Sequence, residues 1–151
     1  MIIIGSDHAG FKTKEFIIKH FEKLNLPYTD CGCDGSRVDY PDIAEAVCRK
    51  VLKNADNMGV IICGTGIGAS ITANKIAGIR AALCADHYSA KHARLHNNSN
   101  VICLGGRTLG EEVSWEMLEL WLKTDYSGGR HSVRLDKITS LEERERSHEQ
   151  S

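Results

Sequence analysis

The chain has 151 residues, 42% of them hydrophobic and 26% charged, with 19 Lys+Arg set against 20 Asp+Glu. That length fits one domain on the usual scale of ~100–200 residues, and a formal net charge of −1 argues against a non-specific binder of nucleic acid or another polyanion. No apolar run approaches the ~20 residues that span a bilayer, and the stretch Met1 to His8 lacks the basic segment of a signal peptide, so a cytoplasmic protein without a membrane partner is expected.

Apolar runs and helical stretches alternate along the chain. Ile2–Ile4 reads as a buried strand, and Phe11, Phe16, Ile17, His20, Phe21 and Leu24 recur at helical spacing after it. Pro27 breaks the chain, and Tyr28–Cys31 is a weaker strand. Asp39-Tyr40-Pro41-Asp42 opens a second helix to about Lys53, with Pro41 suited to its first turn. Met58–Cys63 is a strand ended by Gly64-Thr65-Gly66-Ile67-Gly68, and a small-residue helix follows through Ile76, closed by Gly78. Ile79–Ala85 is read as strand, His87–His96 as helix, Val101–Leu104 as the last strand and Glu111–Leu122 as an amphipathic helix. A polar helix follows Gly128-Gly129, and residues 141–151 form a charged, frayed tail.

Strands alternating with helices predict a single α/β domain over 1–151, a three-layer sandwich around a doubly wound parallel sheet. The six cysteines, at 31, 33, 48, 63, 84 and 103, fall largely in apolar or helical segments and are expected to be free thiols. Cys31-Gly32-Cys33 has no second pair at a zinc-like spacing, and His92 with His96 keeps the spacing of H-E-x-x-H but has Ala93 where its glutamate would stand, so no metal is expected.

In such sheets ligands bind beyond the carboxyl ends of the strands. That rule selects Ser6-Asp7-His8, Cys63 to Gly68, Asp86-His87 and Gly105-Gly106-Arg107. The glycine loop supports two readings. Gly64-x-Gly66-x-x-Ala69 fits a dinucleotide fingerprint, with Asp86 22 positions further on as the ribose-binding acid. Alternatively the loop cradles an oxyanion or a sugar phosphate with amides at a helix start. Cys63, immediately before it, would face the positive end of a helix, which favours the thiolate and suits a general base. Asp7 is either a helix cap or a substrate contact. Arg130 and Arg134, four apart on one helix face, suit a phosphate dianion, and Gly128-Gly129 would turn that helix back toward the sheet edge. His96 is either a surface residue or a proton donor.

Gly5 to Phe11, Asp39 to Asp42, Cys63 to Gly68, Asn74-Lys75, His96-Asn97, Gly105 to Arg107 and Gly128 to His131 together closely resemble the ribose-5-phosphate isomerase B family, over essentially the whole chain to about residue 140. The resemblance implies a Rossmann-like fold and an aldose–ketose isomerase that needs no cofactor and no metal. It implies a sugar phosphate as partner, and a homodimer or dimer of dimers whose sites are shared between subunits. Some relatives replace the cysteine base with a glutamate further along the following helix; this chain keeps Cys63 and has Asn74-Lys75 in that region. By the same resemblance Cys63 is the base and His96 opens the furanose ring. Asp7 and Thr65 complete the catalytic set, and His8, Arg130 and Arg134 bind the phosphate. Tyr40, Gly64, Gly66, Ile67, Gly68, Asn97 and Arg107 contact substrate. The wider family includes galactose 6-phosphate isomerase subunits and members acting on allose 6-phosphate.

Overall fold

The computed structural model describes the backbone of residues 1–151 and every side chain but that of Glu149. The elements run β1 (Ile2–Ser6), α1 (Phe11–Lys23), β2 (Tyr28–Asp30), α2 (Tyr40–Val51), β3 (Met58–Cys63) and α3 (Ile67–Ala73). They continue with β4 (Ala81–Leu83), α4 (His87–Leu95), β5 (Val101–Gly105), α5 (Glu111–Lys123) and α6 (Arg130–Glu149). All strand pairings are parallel, and the order across the sheet is β2-β1-β3-β5-β4.

The period-two alternation of a strand assigns each residue to a face. Ile2, Ile4, Val60, Ile62, Ile102 and Leu104 meet Ile17 and Phe21 of α1, Ala90 and Ala93 of α4, and Trp115, Leu118 and Trp121 of α5. Ile3, Ile61, Cys63, Val101 and Cys103 meet Ile43, Val47 and Cys48 of α2 and Ala69 and Ala73 of α3 on the other. Both faces are therefore covered, which is why the strands read as unbroken apolar runs. The buried Trp121 indole N–H donates to Ser99 Oγ at 2.8 Å, giving that core its polar partner. All six cysteines are free.

Three expectations are corrected. The strand expected over Ile79–Ala85 spans only Ala81–Leu83. Ile79 N donates to Ile76 O in a turn, and Arg80 N is taken by the Asn100 side chain at 2.8 Å, so the start of that run is spent on turn contacts. The helix expected to run through Ile76 ends at Ala73, and tighter turns continue it, with Lys75 N and Ile76 N donating to Thr72 O and Ala73 O. The charged segment beyond Leu141 continues α6 as far as Glu149. None of the described side chains of α6 is buried. That helix is tied near its start by Tyr126 Oη to Ser132 Oγ and past its middle by Gly78 N donating to the Glu142 carboxylate at 3.0 and 3.1 Å.

Gly10, just before α1, lets that helix approach β3. A Cβ placed there would stand 2.5 Å from Ile62 O, a backbone atom locked in the central strand. Gly10→Ala is expected to lower stability by about 1–3 kcal/mol through this overpacking, read as a lower urea midpoint with an unchanged slope.

Candidate active site

The carboxyl ends of β1, β3 and β5 are laced together by backbone hydrogen bonds that continue past the strands. Asp7 N donates to Ile62 O at 3.2 Å, Gly106 N to Cys63 O at 2.8 Å and Arg107 N to Gly64 O at 2.9 Å. Three sequence-distant loops thus share one frame, and it brings together Asp7, His8, Cys63 to Gly68 and Arg107.

Cys63 ends β3 and is 3% exposed, with Sγ accepting the Gly66 amide at 3.1 Å. Among the described residues it is the one cysteine whose sulfur accepts a backbone N–H, and such a donor binds a thiolate more strongly than a thiol. Elsewhere burial pushes the thiols of Cys48 and Cys84 up to about 12, and that of Cys103 upward as well, which makes them inert core residues. The Gly66 amide reaches the sulfur because Gly66 has φ +79°, a left-handed conformation natural to glycine. Thr65 Oγ1 accepts the Ile67 amide at 3.2 Å, so its hydroxyl hydrogen remains available to a ligand.

Asp7 is buried, and Oδ1 accepts the amides of Ala9 at 3.0 Å and Gly10 at 3.1 Å, fixing the turn into α1. Its second oxygen has no hydrogen-bond partner among the described residues. His8 is exposed, with Nδ1 donating to Val38 O at 3.2 Å; a carbonyl only accepts, so the proton sits on Nδ1 and Nε2 faces outward. The Tyr40 ring lies against Gly68, where a Cβ would fall 2.7 Å from its hydroxyl oxygen, and the Arg107 side chain crosses Gly64.

The remaining predicted residues are elsewhere. α4 starts beside the carboxyl end of β4 and runs back toward the start of β5, so His96 sits roughly 13 Å further along the axis than His87, at ~1.5 Å per residue. There His96 stacks on His131 with centroids 4.0 Å apart and planes 14° apart, beside Arg130, Arg134 and Asn97. Arg134 Nη1 reaches His131 Nδ1 at 3.5 Å. Burial first, then the positive charges of His92, Arg130 and Arg134, hold the His96 imidazole below its ordinary range. His131 is held down likewise, by burial and then by His96, Arg130 and Arg134. Gly128 and Gly129 do turn the chain, both with φ +63°, but they bring α6 to the far end of α4 and not to the carboxyl edge of the sheet. The physical reason is that Ser127 N and Oγ bind Leu95 O, at the end of α4, just before that turn. No hydrogen bond among the described residues joins the His96 group to the Cys63 group.

His131 was not singled out for a role from sequence; its place between Arg130 and Arg134 on one helix was the available signal. Asp86 accepts the amide of Ser89 at 2.7 Å and its hydroxyl at 2.9 Å, so it caps α4 and is committed there, against the ribose-binding reading. Asn74 is likewise committed, bonding both N and O of Ala81.

Comparison with known proteins bears on the family and the fold. A family model described as Ribose/Galactose Isomerase matches residues 2–138. The chain belongs to that family. Ribose-5-phosphate isomerase B of Escherichia coli (strain K12) is 42% identical over 144 residues, covering 95% of this chain and 97% of that protein. Among solved structures, ribose-5-phosphate isomerase B of Clostridium thermocellum superposes with a TM-score of 0.92 at 40% identity, over 95% of this chain and 97% of that one. The Mycoplasma genitalium enzyme, solved with bound ribulose-5-phosphate, gives 0.90 at 39% identity, over 94% and 95%. This ribose/galactose isomerase fold thus accounts for the whole sheet, and among the described residues no helix is long and apolar enough to cross a membrane.

At Gly66, a Cβ would meet Leu83 Cδ1 at 2.6 Å and the Leu104 carbonyl carbon at 3.0 Å, besides forcing a side chain into left-handed backbone. Gly66→Ala is expected to cost about 1–3 kcal/mol in urea unfolding and to reduce isomerase turnover in the folded fraction, because the amide is drawn off Cys63.

Proposed function

We propose that the protein interconverts D-ribose 5-phosphate and D-ribulose 5-phosphate through an enediolate, with Cys63 as the base and no cofactor or metal. The observation that carries this reading is the pairing of Cys63 Sγ with the Gly66 amide at the mouth of the glycine loop, beside Asp7, Tyr40 and Arg107. The Mycoplasma genitalium relative, with ribulose-5-phosphate bound, supports the substrate class.

In this scheme the thiolate removes the C2 proton of the open-chain aldose, and the electron pair left behind forms the C1=C2 bond and places charge on O1. Returning that proton to C1, while the O2 proton passes to O1, leaves the ketone at C2. No electron leaves the sugar, so no redox carrier is required. The Thr65 hydroxyl and those amides of the Gly64 to Gly68 loop that Cys63 Sγ and Thr65 Oγ1 do not already take face the developing charge, and donors so placed contribute ~3–4 kcal/mol each. The free oxygen of Asp7 is placed to move the hydroxyl proton. His96 opens the furanose, and His8, Arg130 and Arg134 hold the phosphate. That anchor orients the reacting carbons and turns remote binding energy into rate.

The two groups of residues lie at opposite ends of α4, so we assign them to different copies of the chain in a homodimer. A groove of about 1090 Å³ between α6 and the β4 side of the sheet supports this. Leu83, Tyr88, Leu135, Ile138 and Leu141 line it, and Tyr88 is 73% exposed. An apolar face of that kind on a monomer marks an association surface. Asn97, from the His96 group, also lines this groove, whereas Cys63 does not. The family's description also covers galactose, so turnover of a hexose phosphate is the alternative, decided by assaying galactose 6-phosphate and allose 6-phosphate in parallel.

Cys63→Ala is expected to reduce kcat by about a thousandfold or more on cyclic and open-chain substrate alike, in a coupled assay with EDTA and no nicotinamide cofactor. Mixing unfolded Cys63→Ala and His96→Asn chains and refolding them together is expected to restore about a quarter of wild-type activity, from the one intact composite site per mixed dimer. No recovery would place both groups in one chain's site.

Neutral His96 takes the proton of the anomeric hydroxyl and, as the imidazolium so formed, donates it to the ring oxygen as the ring opens, which gives it the proton-donor role its sequence position suggests. Its folded-state pKa is depressed, so the neutral form persists below the ordinary histidine value of 6.5. Activity on the furanose is therefore expected to hold through neutral pH and to fall only as the pH drops below that value. His96→Asn should abolish that acid limb and slow cyclic substrate selectively, as a pH series on both substrate forms will show.

A further inference from the structure

Lys14 lies on the core-facing stripe of α1 with Ile17, Ile18 and Phe21, and it is fully buried. An ammonium group is removed from water only at high cost unless its donors are all engaged. Here they are: Nζ donates to both carboxylate oxygens of Asp30 at 2.9 Å and to the Cys33 carbonyl at 2.5 Å, and it stands 5.4 Å from the centre of the Phe11 ring. Asp30 also accepts the Gly32 amide at 2.9 Å. A well-packed apolar side chain would occupy the same space without that cost, so the cation's use lies in fixing a conformation.

The conformation it fixes is that of the segment between β2 and α2, which forms neither helix nor strand. Its first part follows β1: Cys31 N donates to Ile4 O, Ser6 N to Gly32 O and Cys33 N to Ser6 O. Lys14 grips the chain at Cys33, where this pairing stops. Phe11, three residues earlier on α1, supports Gly35, where a Cβ would lie 3.2 Å from its ring. Beyond that point the segment delivers two groups to the sheet edge. Val38 O takes the Nδ1 proton of His8, and Tyr40 lies against Gly68 of the glycine loop.

We propose that Lys14 is a positioning residue for substrate binding: by tying Asp30 and the Cys33 carbonyl to α1, it sets the path of residues 34–39 and so the placement of His8 and Tyr40. The proposal rests on the reading of His8 as a phosphate contact. Cys63 ends β3 and shares no hydrogen bond with Lys14 or Asp30 among the described residues, and the link to its loop runs through Tyr40 at Gly68, so the larger effect falls on binding.

The test is Lys14→Met, with Asp30→Asn as a second variant because Asp30 is 34% exposed and its loss is milder for folding. Lys14→Met is expected to raise the KM for ribose 5-phosphate about tenfold with kcat within about twofold of wild type, and Asp30→Asn to move KM the same way by less. In parallel, nitrogen NMR of the His8 ring should show the Nδ1–H tautomer in wild type and a shift toward the Nε2–H form in both variants. Folded variants with unchanged KM and unchanged His8 resonances would overturn the proposal, as would a fall in kcat alone. Should Lys14→Met not fold, Asp30→Asn decides by the same two readouts. If the wild type does not turn over ribose 5-phosphate, the functional reading fails, while the His8 resonances still decide whether Lys14 positions that ring.

Discussion

The parallel pairing of β1, β3 and β5 extends a residue or two beyond the strands, and the geometry of the sheet edge depends on that extension. Asp7, Cys63 and Gly106 are far apart in the chain, yet the bonds Asp7 N to Ile62 O and Gly106 N to Cys63 O hold them in one frame. Backbone hydrogen bonds in a buried setting are costly to leave unmade, so this frame is rigid without relying on any single side chain. Glycine is needed wherever two of these loops touch. At Gly10 and Gly106 a Cβ would run into the backbone of the neighbouring loop or strand. The glycine loop is thus a packing solution as well as a source of amides.

Chemistry at this edge is sorted by burial. Four of the six cysteines lie in the core facing α2, α3 or α4, and three of these, Cys48, Cys84 and Cys103, are raised far from reactivity by the absence of solvent and of donors. Cys63 shares their burial but ends its strand, where an amide from the next turn reaches it. Position at the end of a strand, and not exposure, distinguishes it. The histidines are sorted similarly: His8 is oriented by a carbonyl, whereas His96 is held face to face against another imidazole among arginines.

Much of this was legible in the residues. Strand β3, the helix opened by Asp39-Tyr40-Pro41 and the placement of Asp7, Cys63 and Arg107 at strand ends all follow from apolar periodicity and turn chemistry. The location of His96 was not. Its motif neighbours suggest one site, but a helix of nine residues carries its last turn to the opposite edge of a parallel sheet, and periodicity says nothing about which copy of a chain completes a site. Lys14 was readable in part, as a lysine on the apolar stripe of α1, whereas its partners Asp30 and Cys33 belong to a loop whose path no local pattern encodes. The short β4 was over-extended for a related reason: Ile79 and Arg80 have strand-like chemistry, but tertiary bonds to Ile76 and Asn100 claim them.

The Asn74 side chain has a consequence for the outer edge of the sheet. Its amide bonds both N and O of Ala81 on the outer edge of β4, doing for that residue what another strand would do. An exposed edge strand invites sheet-to-sheet growth and fibrils, and short strands with blocked polar groups prevent it. With β4 only three residues long and the backbone N and O of its first residue already taken, the sheet offers little template for continuation on that side. Open-ended growth by strand addition on that flank is thereby discouraged by the fold itself, with no side chain on the outer surface having to repel a neighbour.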